Sequence, residues 1–358
     1  MKTLRLRLKD KHVKVLKQLA YEVNQVWNFT NELAYKHLQR TGKFFSAYDL
    51  QKYTTGLKEV GFNVHSQTVQ AVVEEYTTRR KQFKKAKLRW RKTKGSGRSL
   101  GWIPFKKSAI GYKNGQIRFG KYYLSLWDSY GLSDYELGSG SISEDARGRW
   151  YINITVDTKE QNQVHSIESI LNNEVPSIGI DLGLKDFATL SNGVKVIAEQ
   201  FYRKEEPKLA VAQRANNKKR VKAIHTKIAN KRNDQLHKLS TRLVNENAYI
   251  AVGDVSSSKL VKTKMAKSVL DAGWSKFRAM LVYKCADAGA LFEEVNESYS
   301  TQTCSVCGSV SGPRGLNGLG IREWLCSDCG AIHDRDHNAA KNLLARGHSR
   351  LAEGIPCL

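Results

Sequence analysis

No run of 18 apolar residues occurs in this 358-residue chain, which excludes a bilayer-spanning helix. The first residues, Met1-Lys-Thr-Leu-Arg-Leu-Arg-Leu-Lys9, alternate leucine with charge, so they do not form a secretory signal. Repeats and low-complexity tracts are lacking too, which excludes a solenoid. Acidic residues are few: 34 Asp plus Glu face 59 Lys plus Arg, for a formal net charge of +25. A surface that basic meets a polyanion, most often nucleic acid. Cysteine is also rare. Of six, four fall into two tight pairs, which rules out a chain-wide disulfide framework and fits a reducing interior, the cytoplasm. With 41% apolar residues the chain can bury a full core, and its length suits two or three domains.

The paired cysteines are Cys304-Ser-Val-Cys307 and Cys326-Ser-Asp-Cys329, 18 residues apart. Each pair places two sulfurs on one side of a tight turn, and a tetrahedron of four soft ligands is what Zn²⁺ requires. Gly308 and Gly330 follow the pairs, where a knuckle turn takes positive φ. One structural Zn²⁺ on Cys304, Cys307, Cys326 and Cys329 is the reading; redox or disulfide pairs are the alternative. His333 is surplus beside four thiolates and reads as polar surface. Cys285 lies on an apolar helical pattern and reads as core, and Cys357 lies in the tail. Behind the second pair comes Asp334-Arg-Asp336-His-Asn-Ala-Ala, an acidic helix start.

Residues 3 to 8 alternate as a strand with a basic outer face. A helical period follows from Lys11 to about Leu38, with Trp27 on its apolar stripe and therefore in the core. A second helix is predicted from Ser66 or Gln67 to about Lys92. Ser66, Gln67 and Gln70 on its first half, with Tyr48 nearby, are candidates for reading base edges, since Gln bonds adenine bidentately. From Arg79 to Lys94 ten of sixteen residues are basic, none is acidic, and Phe83 and Trp90 are interleaved. A solvated face would mix both signs, so Arg79, Arg80, Lys84, Lys85, Arg89, Trp90 and Arg91 are expected to contact nucleic acid. Lys94 to Arg98 is a flexible break. From Gly101 to Thr158 the pattern is β, with a hairpin at Asn114-Gly115 and alternation at Trp150, Ile152, Ile154 and Val156. Short strands at this spacing suggest a small barrel. If the first strand joins it, the helical block is an insertion. Residues 157 to 176 are polar and read as a linker.

Then comes Ser177-Ile-Gly-Ile-Asp181-Leu-Gly-Leu, an apolar strand carrying one carboxylate. A buried carboxylate without a partner is costly, so Asp181 calls for a partner or a metal; metal is the reading, a capping or turn role the alternative. Two more strands complete a meander. A long basic helical stretch from Arg203 to Arg242, a strand at Tyr249 to Val255, one amphipathic helix from Lys267 to about Ala288 and a strand at Leu291 to Glu297 follow. From Gly347 to Leu358 no periodicity remains, and disorder is expected. Strand, strand, strand, helices, strand, helix, strand, helix is the order of a ribonuclease-H-like fold. There carboxylates from the first strand, a later strand and the last helix hold two Mg²⁺ about 4 Å apart. Hard Mg²⁺ takes oxygen, not the neighbouring sulfurs.

Asp181-Leu-Gly-Leu, Tyr299-Ser-Thr-Gln-Thr-Cys304, the two cysteine pairs and Asp334-Arg-Asp336-His-Asn-Ala-Ala together resemble the TnpB (OrfB) family of insertion sequences. These are compact RuvC nucleases similar to type V CRISPR effectors. The resemblance covers the C-terminal half closely and the first half in layout. It implies an α+β multidomain protein. A small wedge β-barrel (1–10 and 95–165) carries a helical recognition insert (11–94). A RuvC α/β domain (177–299 and 333–347) carries an inserted zinc ribbon (300–332), and a tail (348–358) follows. It further implies a transposon-encoded, RNA-guided endonuclease with two Mg²⁺ and one Zn²⁺. The partners would be one guide RNA from the transposon end, bound to a protein monomer, and double-stranded target DNA cut beside a short motif. Such work places it in a prokaryotic cytoplasm, at the nucleoid when active.

Residue by residue, Asp181 matches the first catalytic carboxylate and Asp336 the third; Asp334, one position outside the helix, fits less well. The second departs from the family. Its usual Glu, in an apolar strand before Asp or Asn, is here Gly253 followed by Asp254. Asp254 cannot replace it, because a one-residue shift turns a side chain to the other sheet face. Glu297, where the family commonly has Pro, ends the neighbouring strand and is expected to reach over Gly253 into the site; Glu293 and Glu294 are weaker options. Two other readings stay open: an RNA-guided binder that does not cut, and an RNA-independent zinc-ribbon protein accessory to transposition.

Overall fold

The structure, a computed structural model, describes residues 2–57, 59–95, 97–157, 164–255, 266–314 and 317–354. Residues 158–163 of the expected linker, Cys357 and the last four residues of the expected tail lie outside the described residues. Two compact units divide the chain, 1–159 and 160–358.

In the first unit β1 (Lys2–Leu8) is followed by α1 (Val13–Thr41), α2 (Ala47–Lys52) and α3 (Ser66–Gln82). Then come β2 (Trp102–Phe105), β3 (Ile110–Lys113), β4 (Gln116–Phe119), β5 (Tyr122–Trp127), β6 (Glu136–Glu144) and β7 (Trp150–Asp157). The antiparallel sheet runs β2-β6-β7-β1-β5-β4-β3, so β1 joins its middle and the three helices are an insertion. Leu4, Leu6 and Leu8 are buried while Arg5 and Arg7 point outward. The sheet curls until it nearly closes. Phe105 on β2 and Phe119 on β4 have ring centroids 6.1 Å apart. A flat sheet would separate strands five places apart by roughly 24 Å. A register shift in β6 between Leu137 and Gly140 aids the bend. Side-chain-free Gly140 also makes room for Phe105, whose Cζ would lie 2.8 Å from a Cβ there.

The second helix is shorter than its pattern. α3 stops at Gln82, Lys84 takes a positive φ of 50°, and the basic run continues as extended chain along α1. Side chains one helical turn apart hold it there. Asn31 exchanges two hydrogen bonds with the Leu88 backbone (3.0 and 2.8 Å), and Asn28 does the same with Arg91 (2.8 and 3.0 Å). These buried amides act as a substitute strand edge, which a hydrophobic period cannot signal. Trp27 is buried between Tyr76 and Trp102, edge-on to both.

The second unit opens with a short α4 (Ile167–Leu171) where a linker was expected; its Ile170 is fully buried. Next come β8 (Ser177–Leu182), β9 (Asp186–Leu190), β10 (Lys195–Ile197), α5 (Phe201–Arg214), α6 (Lys218–Glu246) and β11 (Tyr249–Gly253). They are followed by α7 (Ala266–Ala272), α8 (Trp274–Ala288), β12 (Leu291–Val295), β13 (Glu323–Leu325), β14 (Ile332–Asp334) and α9 (Arg335–Ala352). The main sheet runs β10-β9-β8-β11-β12, with β8, β11 and β12 parallel and β9 and β10 antiparallel.

One face, with Ile178, Ile180, Ile250, Val252 and Phe292, shares a core with α6 and α8. The other face takes α9 at close range. A Cβ on Gly179 would lie 2.1 Å from the Ala340 carbonyl, and one on Gly347 2.1 Å from the Tyr249 hydroxyl. Glycine at both points lets the helix lie on the strands, and this sets where its first turn falls. The expected single helix over 267–288 is broken at Gly273, which adopts φ 75°; apolar spacing persists across the break and hides it. The expected tail is also partly structured. α9 continues to Ala352 because Leu351 is buried with Ile170 and Tyr249. Among the described residues no helix is long and apolar enough to cross a membrane.

Candidate metal centres and nucleic-acid surface

Asp181, Glu297 and Asp336 line one open cleft of about 540 Å³ with Lys185, Asp186 and Arg322. Strand register explains the meeting. Val252 pairs with Ile180 and Gly253 with Val295, so the strand ends are level. Asp181 stands two residues beyond Gly179 and therefore faces α9, whose first turn carries Asp336. Glu297 stands two residues beyond Val295 and shares that face. A Cβ built on Gly253 would lie 3.4 Å from Glu297 Oε2 and 3.5 Å from Glu297 Cβ. The Glu297 side chain thus crosses the bare backbone of Gly253. Asp254 instead ties the two strand ends together. Its N–H donates to the Val295 carbonyl (2.9 Å) and its Oδ1 accepts the Glu297 N–H (3.1 Å). Glu293 is engaged by Tyr249 and Arg350, and Glu294 by Arg278, so neither lines the cleft. Asp334 caps α9 by accepting the His337 N–H (2.9 Å) and pairs with Lys195 (2.6 Å).

The cleft penalises negative charge. Burial, then the charges of Asp336 and Glu297, push the Asp181 carboxyl up from 3.8 to about 8, against a smaller opposing pull from Arg335 and Arg322. Burial and then Asp254 also raise Glu297, with Arg278 opposing. Three carboxylates so placed are stabilised by protons or by cations. Among the described residues the four cysteines form the one group of three or more donors that all lie within 4.8 Å of one another. Asp336 is occupied by Arg322, whose Nη1 lies 2.9 and 3.1 Å from its two oxygens.

At the cysteines the fit to a tetrahedral ion is direct. Cys304 and Cys329 are 3.7 Å apart, as are Cys307 and Cys326; Zn–S bonds of about 2.3 Å give an edge of roughly 3.8 Å. Gly308 and Gly330 take φ of 78° and 73°. His333 is not surface. It is buried against the Trp324 ring, with Nε2 3.0 Å from Cys304 Sγ. β13 pairs His333 with Trp324, and that pairing turns it inward. Asn338 and Asn342 were missed in the sequence. Their side-chain amides donate to the Ser300 and Thr303 carbonyls, fastening the base of the cysteine loops to α9. The helical spacing of two asparagines behind Asp336 was the available signal.

In the first unit Tyr48, Ser66 and Gln70 line a groove between α2 and α3, with Gln51 and Lys52. Gln67 is drawn off, accepting from Ser108 Oγ at 2.6 Å. The basic run divides. Lys84, Lys85, Arg89 and Trp90 are exposed, and exposed Arg79 pairs with Glu75. Arg80 is buried, donating to the Phe45 carbonyl under the Phe44 ring, and Arg91 is spent on Asn24 and the Leu100 carbonyl. The expectation of phosphate contact fails for these two because their guanidiniums satisfy interior acceptors. A further basic-aromatic face lies outside β1, β5 and β7. Arg5 sits 4.1 Å over Tyr151 and Lys9 5.2 Å over exposed Trp127. The alternating arginines of β1 announced only part of it.

Fold and sites together define a basic α+β protein with a nearly closed barrel-like sheet, a four-cysteine cluster and an acidic cleft. The family model "Cas12f1-like, TNB domain" matches residues 274–343, and the OrfB model described as "Probable transposase" matches 161–264. A "Putative RNA-guided DNA endonuclease" of Streptomyces pristinaespiralis is 33% identical over 308 residues, covering 81% of this chain and 74% of the relative. "Putative RNA-guided DNA endonuclease InsQ" of Escherichia coli is 31% identical over 235 residues, 58% of this chain and 56% of its own. The fold is similar to Cas12f1 in a Cas12f1–sgRNA–target DNA complex, with TM-score 0.60 and 13% identity over 94% of this chain and 83% of that one. The chain belongs to the TnpB (OrfB) family.

Proposed function

We propose that the chain is an RNA-guided endonuclease that hydrolyses DNA phosphodiester bonds at the cleft of Asp181, Glu297 and Asp336. The observation that carries this reading is the Glu297 side chain lying over Gly253, beside Asp181 and in the same cleft as Asp336. It supports a relocated second carboxylate in place of the family's usual Glu. The sheet order β10-β9-β8-β11-β12, the order of ribonuclease-H-like folds, supports a RuvC-type domain. Relatives named as RNA-guided DNA endonucleases support the activity.

Two Mg²⁺ would supply activation of water and stabilisation of the leaving oxygen. The chain's own part is to present three oxygen ligands from two strand ends and one helix start. Asp254 holds the Glu297 backbone, and α9, packed on Gly179, holds Asp336 over the strands. Cys304, Cys307, Cys326 and Cys329 would hold one Zn²⁺ that keeps the ribbon folded. Exposed Lys84, Lys85, Arg89 and Trp90, with the Arg5–Tyr151 face, suit a backbone-reading contact to a guide RNA and its DNA hybrid. Tyr48, Ser66 and Gln70 suit the reading of a short adjacent motif.

The test is incubation of the purified protein–RNA complex with a target library of randomised flanks, with Mg²⁺ or with chelator. Mg²⁺-dependent cuts beside one enriched motif are expected. A Glu297→Gln variant should keep its RNA and lose cleavage; full activity of that variant refutes the site. A Gln70→Ala variant should keep RNA and lose motif preference.

A second reading is favoured by Gly253, which stands where the family's usual Glu would be: an RNA-guided binder that does not cut. Protection of one motif-flanked target with no cleavage in Mg²⁺ or Mn²⁺ would establish it.

A further inference from the structure

Arg322 precedes β13, inside the segment between the two cysteine pairs, yet its guanidinium lies in the acidic cleft. Its Nη1 contacts both oxygens of Asp336, at 2.9 and 3.1 Å. Its backbone is fixed as well: the Arg322 carbonyl accepts the Arg335 N–H at 2.7 Å, at the start of α9. Arg335 returns the tie through Nη1 to the Gly318 carbonyl, also 2.7 Å. The cysteine-bearing segment and the Asp336 turn are therefore joined by two backbone-directed bonds and one ion pair. The ion pair is the solvent-accessible member: the Arg322 side chain is 45% exposed.

Any divalent cation that takes Asp336 as a ligand must use the oxygens that Arg322 now holds. One carboxylate cannot give both oxygens to a guanidinium and bind a dication at full strength, and the two positive charges repel at that range. We propose that Arg322 is a positioning residue that holds the Asp336 carboxylate until a divalent cation displaces it. It thereby couples the cysteine ribbon to loading of the cleft. This rests on reading the cleft as a divalent-metal site.

The experiment measures Mn²⁺ binding to the zinc-loaded full chain by calorimetry and by electron paramagnetic resonance, without target DNA, for wild type, Arg322→Gln and Arg322→Lys. Arg314→Gln, an exposed arginine of the same segment, is the control. Arg322→Gln should bind Mn²⁺ more tightly, on the order of tenfold. Arg322→Lys should stay near wild type, and Arg314→Gln should not differ. Zinc content and circular dichroism establish that each variant is folded. Equal or weaker Mn²⁺ binding by folded Arg322→Gln overturns the proposal while leaving the metal reading intact. A wild type that binds no Mn²⁺ overturns the metal reading and this inference with it. Should Arg322→Gln fail to fold, Arg322→Met takes its place with the same two outcomes.

Discussion

The second unit holds two clusters built in opposite ways. The four sulfurs come from two short turns, and their donor atoms all lie within 4.8 Å of one another. The three carboxylates come from β8, the end of β12 and α9, and meet only through strand register and a helix packed on glycine. A ligand set made by turns is nearly complete once the turns form. One made by a sheet depends on every contact that fixes the sheet, so single substitutions should act on the two clusters differently.

The largest effect expected is at the sulfurs. Cys304→Ser should remove zinc and unfold the ribbon, a loss of several kcal/mol, read by metal analysis and limited proteolysis. Zinc retention at full stoichiometry would end the four-thiolate assignment. Next, Glu297→Gln should lower Mg²⁺-dependent cleavage by about 100-fold or more while zinc content and RNA binding stay as in wild type. A sharper version moves the carboxylate back: Gly253→Glu combined with Glu297→Ala should recover part of the cleavage that Glu297→Ala loses. No recovery would mean that the Leu343 side chain, 3.3 Å from a Cβ at 253, closes that route.

The acidic cleft should also show itself in pH. Asp181 has its folded value raised from 3.8 to about 8 by burial and by its acidic neighbours. Its contribution to stability is then fully present below about pH 4 and lost as pH rises through about 8. With zinc loaded and no other divalent cation added, wild type should fall behind Asp181→Asn across that window by roughly 5 °C in Tm, and Mg²⁺ should close the gap. Parallel curves for the two proteins would show that the carboxylate carries no such strain. The smallest effect expected is at His333, buried beside Cys304. His333→Ala should speed zinc release to a chelator a few-fold, with cleavage by loaded protein unchanged. Release at the wild-type rate would leave His333 a packing residue only.

Particular residues show where sequence reading succeeded and where it stopped. The alternation of Leu4, Leu6 and Leu8 placed β1 in the barrel-like sheet, and the order of strands and helices in the second half matches the elements found. The Cys-x-x-Cys spacing located a real cluster. Gly253 is an empty position in an apolar strand, and the Glu297 side chain lies over it. The failures share one cause. Arg80 and Arg91 look like their exposed neighbours in a basic run, but their partners, the Phe45 carbonyl and Asn24, come from other elements. α3 ended early because Asn28 and Asn31 of α1 offered the chain an alternative to helix. His333 turned inward through β-pairing with Trp324, and the end of α9 persisted because Leu351 found Ile170 and Tyr249.

Local periodicity and spacing settled most of the strands and helices, the two knuckles and the acidic residue on the first strand of the second unit and on its last helix. These depend on bond geometry over a few residues, which neighbours in the chain carry with them. Which arginine stays free for a polyanion and what holds Asp336 were settled by packing between distant segments. A hydrogen bond or ion pair of about 3 Å is satisfied by whichever group the fold delivers, and delivery depends on register and helix seating.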